Sequence, residues 1–268
     1  MIAFPFCKIN LGLQILNKRP DGYHTISTCF YPVLWTDVLE ILPSSKLNFT
    51  QTGITIPGRA EDNLCLKAYY LLQNDFKLPP VEIHLHKVIP TGAGLGGGSS
   101  DAAFTLRILN TIFDLKISSE RLAAYAVGMG SDCAFFVQDN SMMGNERGEI
   151  LKPLDINLKG YYLIILKPDV HVSTAEAYRE VRPVIPKIKL EELIKLPVPE
   201  WKGQIENDFE ESIFKKFPAI EEIKSEFYSQ GALYAGMSGS GSSVFGIFKS
   251  KTELSSTLAD VPGWSGQL

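Results

Sequence analysis

PTGAGLGGGSSDAA, residues 90–103, lies between VEIHLHKV (81–88), where apolar and polar residues alternate, and a run with helical spacing that opens near Ser99. Five of the seven residues from 92 to 98 are glycine. Glycine lets backbone N–H groups turn toward a ligand with no Cβ in the way, and the start of the following helix adds unpaired N–H groups and the positive end of its dipole. A strand, a glycine loop and a helix in that order predict an anion cradle. A flexible turn is the bland alternative, and so dense a glycine run before a helix carries a large backbone entropy cost for that role.

Three well-known glycine loops can be compared with this one. Gly92, Gly94 and Gly97 satisfy GxGxxG, but a dinucleotide fold needs a second parallel strand after the helix, and 114–128 reads as a turn and another helix. A P-loop needs Gly-Lys-Ser/Thr, whereas Gly98 is followed by Ser99. The HRD and DFG strings of protein kinases are absent. What remains is a phosphate cradle of another type.

Further out, strands are expected near 2–16, 26–42, 81–88, 161–166, 232–237 and 243–249, and helices at Asn63–Phe76, from Ser99 through Phe113, at Ser119–Gly128, Glu206–Phe217 and Glu221–Ser229. Residues 183–200, with four prolines, read as an irregular connector, and Gly144–Gly148 as a loop. Strands and helices interleave without a regular βαβ beat, which predicts an α+β fold. The length of 268 residues suits two domains, with the boundary placed after residue 155, giving 1–155 and 156–268.

With 26 basic against 30 acidic residues, a net charge of −4 and no basic run, a nucleic-acid partner is not expected. The longest strongly apolar stretch, Tyr161–Leu166, is far shorter than a membrane span, and the apolar start contains Lys8 and Asn10 and has no cleavage site, so no membrane association is expected. Cys7, Cys29, Cys65 and Cys133 are unevenly spaced, which suits reduced thiols and a cytoplasmic location.

GLGGGSSDAA closely resembles the phosphate-binding motif of the GHMP small-molecule kinases, which include galacto-, homoserine, mevalonate and phosphomevalonate kinases. CKINLGL near the start resembles the family's first motif, and GMSGSGSSVFGIF (236–248) its third, a small-residue hairpin. The resemblance covers nearly the whole chain, and RPDGYHTI, GSDCAFF and NDFE single out the branch that phosphorylates a cytidine diphosphate-linked alcohol on the isoprenoid route. It implies an N-terminal domain like ribosomal protein S5 domain 2, a ferredoxin-like C-terminal domain, and an active site in the cleft between them. It further implies ATP as co-substrate, Mg²⁺ on the phosphates and no obligate protein partner. Another GHMP kinase, of mevalonate or homoserine type, and a nonenzymatic relative that senses ATP and sugar are the alternatives.

The same resemblance distributes roles. Gly92, Gly94, Leu95, Gly96, Gly97, Gly98, Ser99 and Ser100 would hold the ATP phosphates, with Asn63 and Lys87 toward the nucleotide pocket. Lys8, a costly ammonium in an apolar strand, would face the catalytic carboxylate of Asp132. Asp132 would act as general base, although an aspartate after Gly-Ser is as often a cap. Ala134 stands where the family commonly has proline. Tyr23 and Tyr178 would sandwich the cytosine, His24 would bond its polar edge, and Asn10 and Thr174 would meet substrate hydroxyl or phosphate groups. His84 and His86 share one face of a strand but lack a third metal ligand nearby, so no protein metal site is expected. Asn207, Asp208 and Glu210 read as the start of a helix, with no chemistry assigned.

Overall fold

The computed structural model describes residues 1–268. In chain order the elements are β1 (Ile2–Ala3), β2 (Phe6–Lys18), β3 (His24–Thr36), β4 (Val38–Pro43), β5 (Asn48–Gly53), α1 (Leu64–Phe76), β6 (Val81–Lys87), α2 (Gly97–Ile112), α3 (Ser119–Val127), β7 (Met142–Glu146), β8 (Ile150–Pro153) and β9 (Tyr162–Leu166). Then come α4 (Thr174–Glu180), α5 (Leu190–Leu193), α6 (Glu210–Lys216), α7 (Pro218–Ser229), β10 (Tyr234–Met237), β11 (Val244–Phe248) and β12 (Gly263–Gln267). The mixture is α+β, as its unpatterned alternation predicts. No helix is long and apolar enough to cross a membrane.

The chain forms two compact units, and each draws on several segments: Met1–Lys8, Pro32–Thr91 and Gly96–Asp139 in one, Ile9–Tyr31, Gly92–Leu95 and Asn140–Leu268 in the other. A single cut at 155 divides the chain differently, because residues 9–31, 92–95 and 140–155 go with the C-terminal part. The cause lies in β2 and β3, each 13 residues long, or about 40 Å of extended backbone. Strands of that length begin in one unit and end in the other.

The first unit is built on the sheet β1-β4-β6-β5, with β5 parallel to β6 and the other pairs antiparallel. Along β6 the side chains alternate strictly: Val81, Ile83, Leu85 and Lys87 are buried, while Glu82, His84 and His86 point outward. Helices α1 and α2 contribute Leu66, Tyr69, Leu72, Leu106 and Leu109 to the core, each aliphatic side chain stabilising by about 1.5–3 kcal/mol. On the outer face Thr52 Oγ1 bonds both His84 Nε2 at 3.0 Å and His86 Nδ1 at 2.9 Å. No group of three metal-ligating side chains forms there or elsewhere.

The second unit holds the sheet β10-β11-β9-β12, antiparallel throughout, whose residues Ile164, Leu166, Val244 and Phe248 pack with Ile223 and Phe227 of α7. Another sheet runs β2-β3-β7-β8, with Ile26–Phe30 of β3 paired to Met142–Glu146. Here the structure corrects the expected loop at 144–148. It is a hairpin closed by the Gly148 N–H on Asn145 O at 2.9 Å, and Asn145 pairs with Ile150 across it. The connector 183–200 contains the one-turn helix α5 and a 3-10 turn at Val198–Glu200. Helix α4, short and capped by Ser173 on the Glu176 N–H at 3.2 Å, has no counterpart among the expected helices, since Ala177 is its only buried residue and it shows no apolar stripe.

Asn207 turns out to be a strut. Its Nδ2 donates to Met237 O and to Gly239 O, 2.8 Å each, and its Oδ1 accepts the Phe209 N–H at 3.1 Å. Beside it Asp208 takes the Ile15 N–H at 2.6 Å, and Glu210 takes the Met237 N–H at 2.8 Å and the Lys224 ammonium at 2.6 Å. The NDFE string therefore clamps the β10–β11 turn to β2. Asn207→Ala leaves two buried carbonyls without a donor and is expected to lower unfolding free energy by roughly 2–3 kcal/mol. Denaturant titration of the two proteins side by side checks this.

Candidate active site

Lys8 enters the site through the packing of its neighbour. Phe6 sits edge-on to Phe104 and Phe135, with ring centroids 5.6 and 6.4 Å away, and 5.5 Å from Phe136. This fixes the register of β2 and directs Lys8, 2% exposed, toward the turn ahead of the 3-10 helix Phe135–Val137. Buried Phe135 and Phe136 anchor that turn, and the Phe135 N–H closes onto Asp132 O at 3.2 Å. Lys8 Nζ lies 3.3 Å from Asp132 Oδ2, and the Asp132 side chain is one-third exposed. The pairing expected from sequence thus exists, with the ammonium inside and the carboxylate at the surface. The adjacent Cys133 thiol, pushed up to about 11 by burial, offers no competing nucleophile near neutral pH.

The glycine loop meets this pair at Gly96. With φ +71, Gly96 is the N-cap of α2, and an added Cβ would stand 2.8 Å from Phe136 Cζ and 3.3 Å from Lys8 Cε. Helices α1, α3 and α4 each have a side chain bonded to a first-turn N–H, from Asn63, Ser118 and Ser173; α2 has none. Its Gly97-Gly98-Ser99 amides are the donors that a phosphate would take. The Ser100 hydroxyl is buried and has no hydrogen-bond partner.

Upstream, the loop is held by the third motif. Ser238 Oγ donates to Gly94 O at 2.8 Å, the Ser243 N–H donates to Ala93 O at 3.1 Å, and a Cβ on Gly94 would collide with the Ser238 carbonyl. Asn10 of the first motif joins this network through its N–H to Ser238 Oγ at 3.3 Å and its Nδ2 to Thr28 Oγ1 at 2.8 Å. Leu95 is fully buried, so its side chain anchors the loop in the core.

The other expected residues fall into place less uniformly. His24 stacks on Tyr178, ring centroids 5.1 Å apart and planes 16° from parallel, with Phe209 edge-on to Tyr178 at 4.8 Å. The resemblance sets Tyr23 and Tyr178 on opposite faces of a bound cytosine; His24 stacks on the Tyr178 ring here. Tyr23 is 58% exposed with the Arg147 guanidinium 5.1 Å above it. Burial and then Lys18 hold the His24 imidazole below its ordinary value, so near pH 7 it is neutral and can both donate and accept. Thr174 Oγ1 is 3.3 Å from Ser240 Oγ. Asn63 caps α1 through the Cys65 N–H at 2.9 Å. The Lys87 ammonium is wholly buried between Asp37 and Asp101, so it presents no charge to a nucleotide. Sequence reasoning missed Arg147 and Ser238 and assigned Asn207 no role; Ser238 and Asn207 each carried a signal, lying in the quoted third motif and in the NDFE string.

Residues 63–140 match the family described as GHMP kinases N terminal domain, and 190–262 match GHMP kinases C terminal. The chain is 52% identical over 254 residues to the 4-diphosphocytidyl-2-C-methyl-D-erythritol kinase of Cytophaga hutchinsonii, covering 94% of each chain. It is 51% identical over 270 residues to the enzyme of the same name from Parabacteroides distasonis, covering 100% of both. A crystal structure of 4-(cytidine 5'-diphospho)-2C-methyl-D-erythritol kinase superposes with a TM-score of 0.80 at 32% identity, over 93% of this chain and 91% of that one.

Gly96→Ala is expected to raise KM for the phosphate donor at least about tenfold, because the αL strain of roughly 1–2 kcal/mol and the Phe136 contact both move the loop. Gly160→Ala is the control: its φ is +95 but nothing lies within 4 Å, so it should lose stability and keep KM. Steady-state kinetics and thermal melts of both variants make the comparison.

Proposed function

Because the chain belongs to the GHMP kinases, we infer that it transfers the γ-phosphoryl group of ATP to the 2-hydroxyl of 4-diphosphocytidyl-2-C-methyl-D-erythritol, a step of the non-mevalonate route to isoprenoid precursors. The observation that carries the chemistry is the Lys8–Asp132 pair at 3.3 Å with Gly96 packed on the lysine stem. Identity above 50% over nearly the full chain with kinases of that name carries the substrate.

Asp132 accepts the hydroxyl proton as the substrate oxygen bonds to the γ-phosphorus and the β–γ bridge breaks, its electrons leaving on ADP. Lys8 offsets the negative charge that gathers on the transferring group, and its burial keeps it from being diluted by water. The amides at the start of α2 hold the phosphates. Mg²⁺ is a hard cation that takes oxygen ligands, and with no cluster of three metal-ligating side chains in the protein it would come in on the nucleotide. Bound there on the phosphate oxygens, it would neutralise charge on the nucleotide. Neutral His24 can bond the cytosine edge, and the aromatic rings of Tyr23 and Tyr178 supply stacking surface. All four cysteines are buried thiols, which agrees with a reducing cytoplasm.

Asp132→Asn keeps the shape of the turn and removes the proton acceptor, so kcat should fall by roughly 10² to 10⁴ with both KM values nearly unchanged. An ADP-release assay reads this, and wild-type turnover in the variant would remove Asp132 from the mechanism. The same assay with mevalonate or homoserine in place of the cytidine substrate should show no turnover; the reverse pattern leaves only the family.

Tyr23→Ala should weaken the cytidine substrate by about 1–3 kcal/mol, the range of one base–aromatic contact, and leave the KM for ATP as it was. Equal losses for both ligands would identify Tyr23 as a packing residue instead.

A further inference from the structure

The foot of the glycine loop carries an ion cluster that the phosphoryl transfer does not use. Asp37, Lys87 and Asp101 are all buried, at 0, 1 and 2% exposure. Lys87 Nζ donates to Asp101 Oδ2 at 2.9 Å and also to Asp37 Oδ2. The other oxygen of Asp37 accepts two backbone N–H groups, from Val88 at 2.6 Å and Ile89 at 2.8 Å. Those two residues begin the loop, and Asp101 lies in the helix that ends it. Between them Gly97 passes so close that an added Cβ would stand 2.8 Å from the Lys87 ammonium.

We propose that Asp37, Lys87 and Asp101 are positioning residues that strap the two ends of the glycine loop together and set its amides for the nucleotide before ATP arrives. The proposal rests on reading that loop as the ATP phosphate cradle. A buried cluster of two carboxylates and one ammonium is a poor device for stability alone, since apolar side chains of similar volume often serve that purpose as well. What apolar side chains cannot supply is direction. The carboxylate of Asp37 fixes two amides, and the ammonium fixes the distance from the strand end to the second turn of α2. Burial raises the Asp101 carboxyl and Lys87 holds it back, while the two carboxylates outweigh burial at Lys87 and raise its ammonium, so the lysine stays charged.

Asp101→Ala removes one strap and leaves Lys87 and Asp37 as a balanced pair. In the full-length enzyme it should raise KM for ATP about tenfold or more while KM for the cytidine substrate stays within about twofold. Asp101→Asn keeps an oxygen for the Lys87 ammonium and should restore most of the ATP affinity. A folded Asp101→Ala protein with wild-type KM for ATP, a parallel rise in both KM values, or an Asn variant as impaired as the Ala variant would each overturn the proposal. If Asp101→Ala does not fold, hydrogen exchange on the wild-type protein without nucleotide decides: protected Val88, Ile89 and Ser100 amides support the strap, and freely exchanging ones overturn it. A wild-type protein that binds no ATP by calorimetry instead removes the cradle reading on which the proposal stands.

Discussion

Backbone amides can close on an anion only where no side chain intervenes, and the glycine run from 92 to 98 meets that condition. Gly92, Gly94 and Gly96 all have φ between +61 and +76, a region costly for other residues. The condition is steric twice over. Glycine frees the side of the loop toward the ligand, and it also lets the loop lie against Ser238 at one point and against Phe136 and the Lys8 stem at another. The same absence of Cβ that would open the loop to a phosphate therefore sets its distance from the Lys8–Asp132 pair.

The polar groups around this loop are distributed by burial. Lys8 is inside and Asp132 partly outside, so the group proposed as the proton acceptor is the accessible one. Asn10, Ser238 and Asn207 are buried and satisfied by one another, by Thr28 or by backbone, as a low-dielectric interior requires. The orphaned atoms, Ser100 Oγ and Asp101 Oδ1 among them, cluster at the first turns of α2, and Ser243 Oγ lies in the hairpin that holds the loop.

Much of this was legible in the sequence, for reasons that differ by element. Helices α1, α2, α3 and α7 were readable because each is long enough to show a 3.6-residue period, and β6 because its alternation is strict. Lys8 was conspicuous as a charge in an apolar strand. The hairpin β7–β8 was not legible, since Gly144 and Gly148 carry turn chemistry while pairing with Phe30 and its neighbours is a tertiary event. The stacking of His24 on Tyr178 was not legible, because it depends on which ring arrives across space, and His24 and Tyr23 are adjacent in sequence but point to different surroundings. One signal was available and unread. Lys87 is in phase with Val81, Ile83 and Leu85, so the period of two already placed its ammonium in the core, where it needs carboxylates rather than a nucleotide.

The interleaving of the two units also bears on how the chain is made. The amide and side chain of Asn10 find their partner in Ser238, 228 residues later, and Ile15 waits for Asp208. On a ribosome working from the N-terminus, residues 9–31 emerge among the first and cannot complete their unit until nearly the whole chain has followed. Through that interval the apolar half of β2 stands without its native neighbours, at a synthesis rate of about 5–20 residues per second. The strand that carries Lys8 is thus among the last to be secured, and a nascent chain arrested in its middle is a species that invites chaperones and self-association.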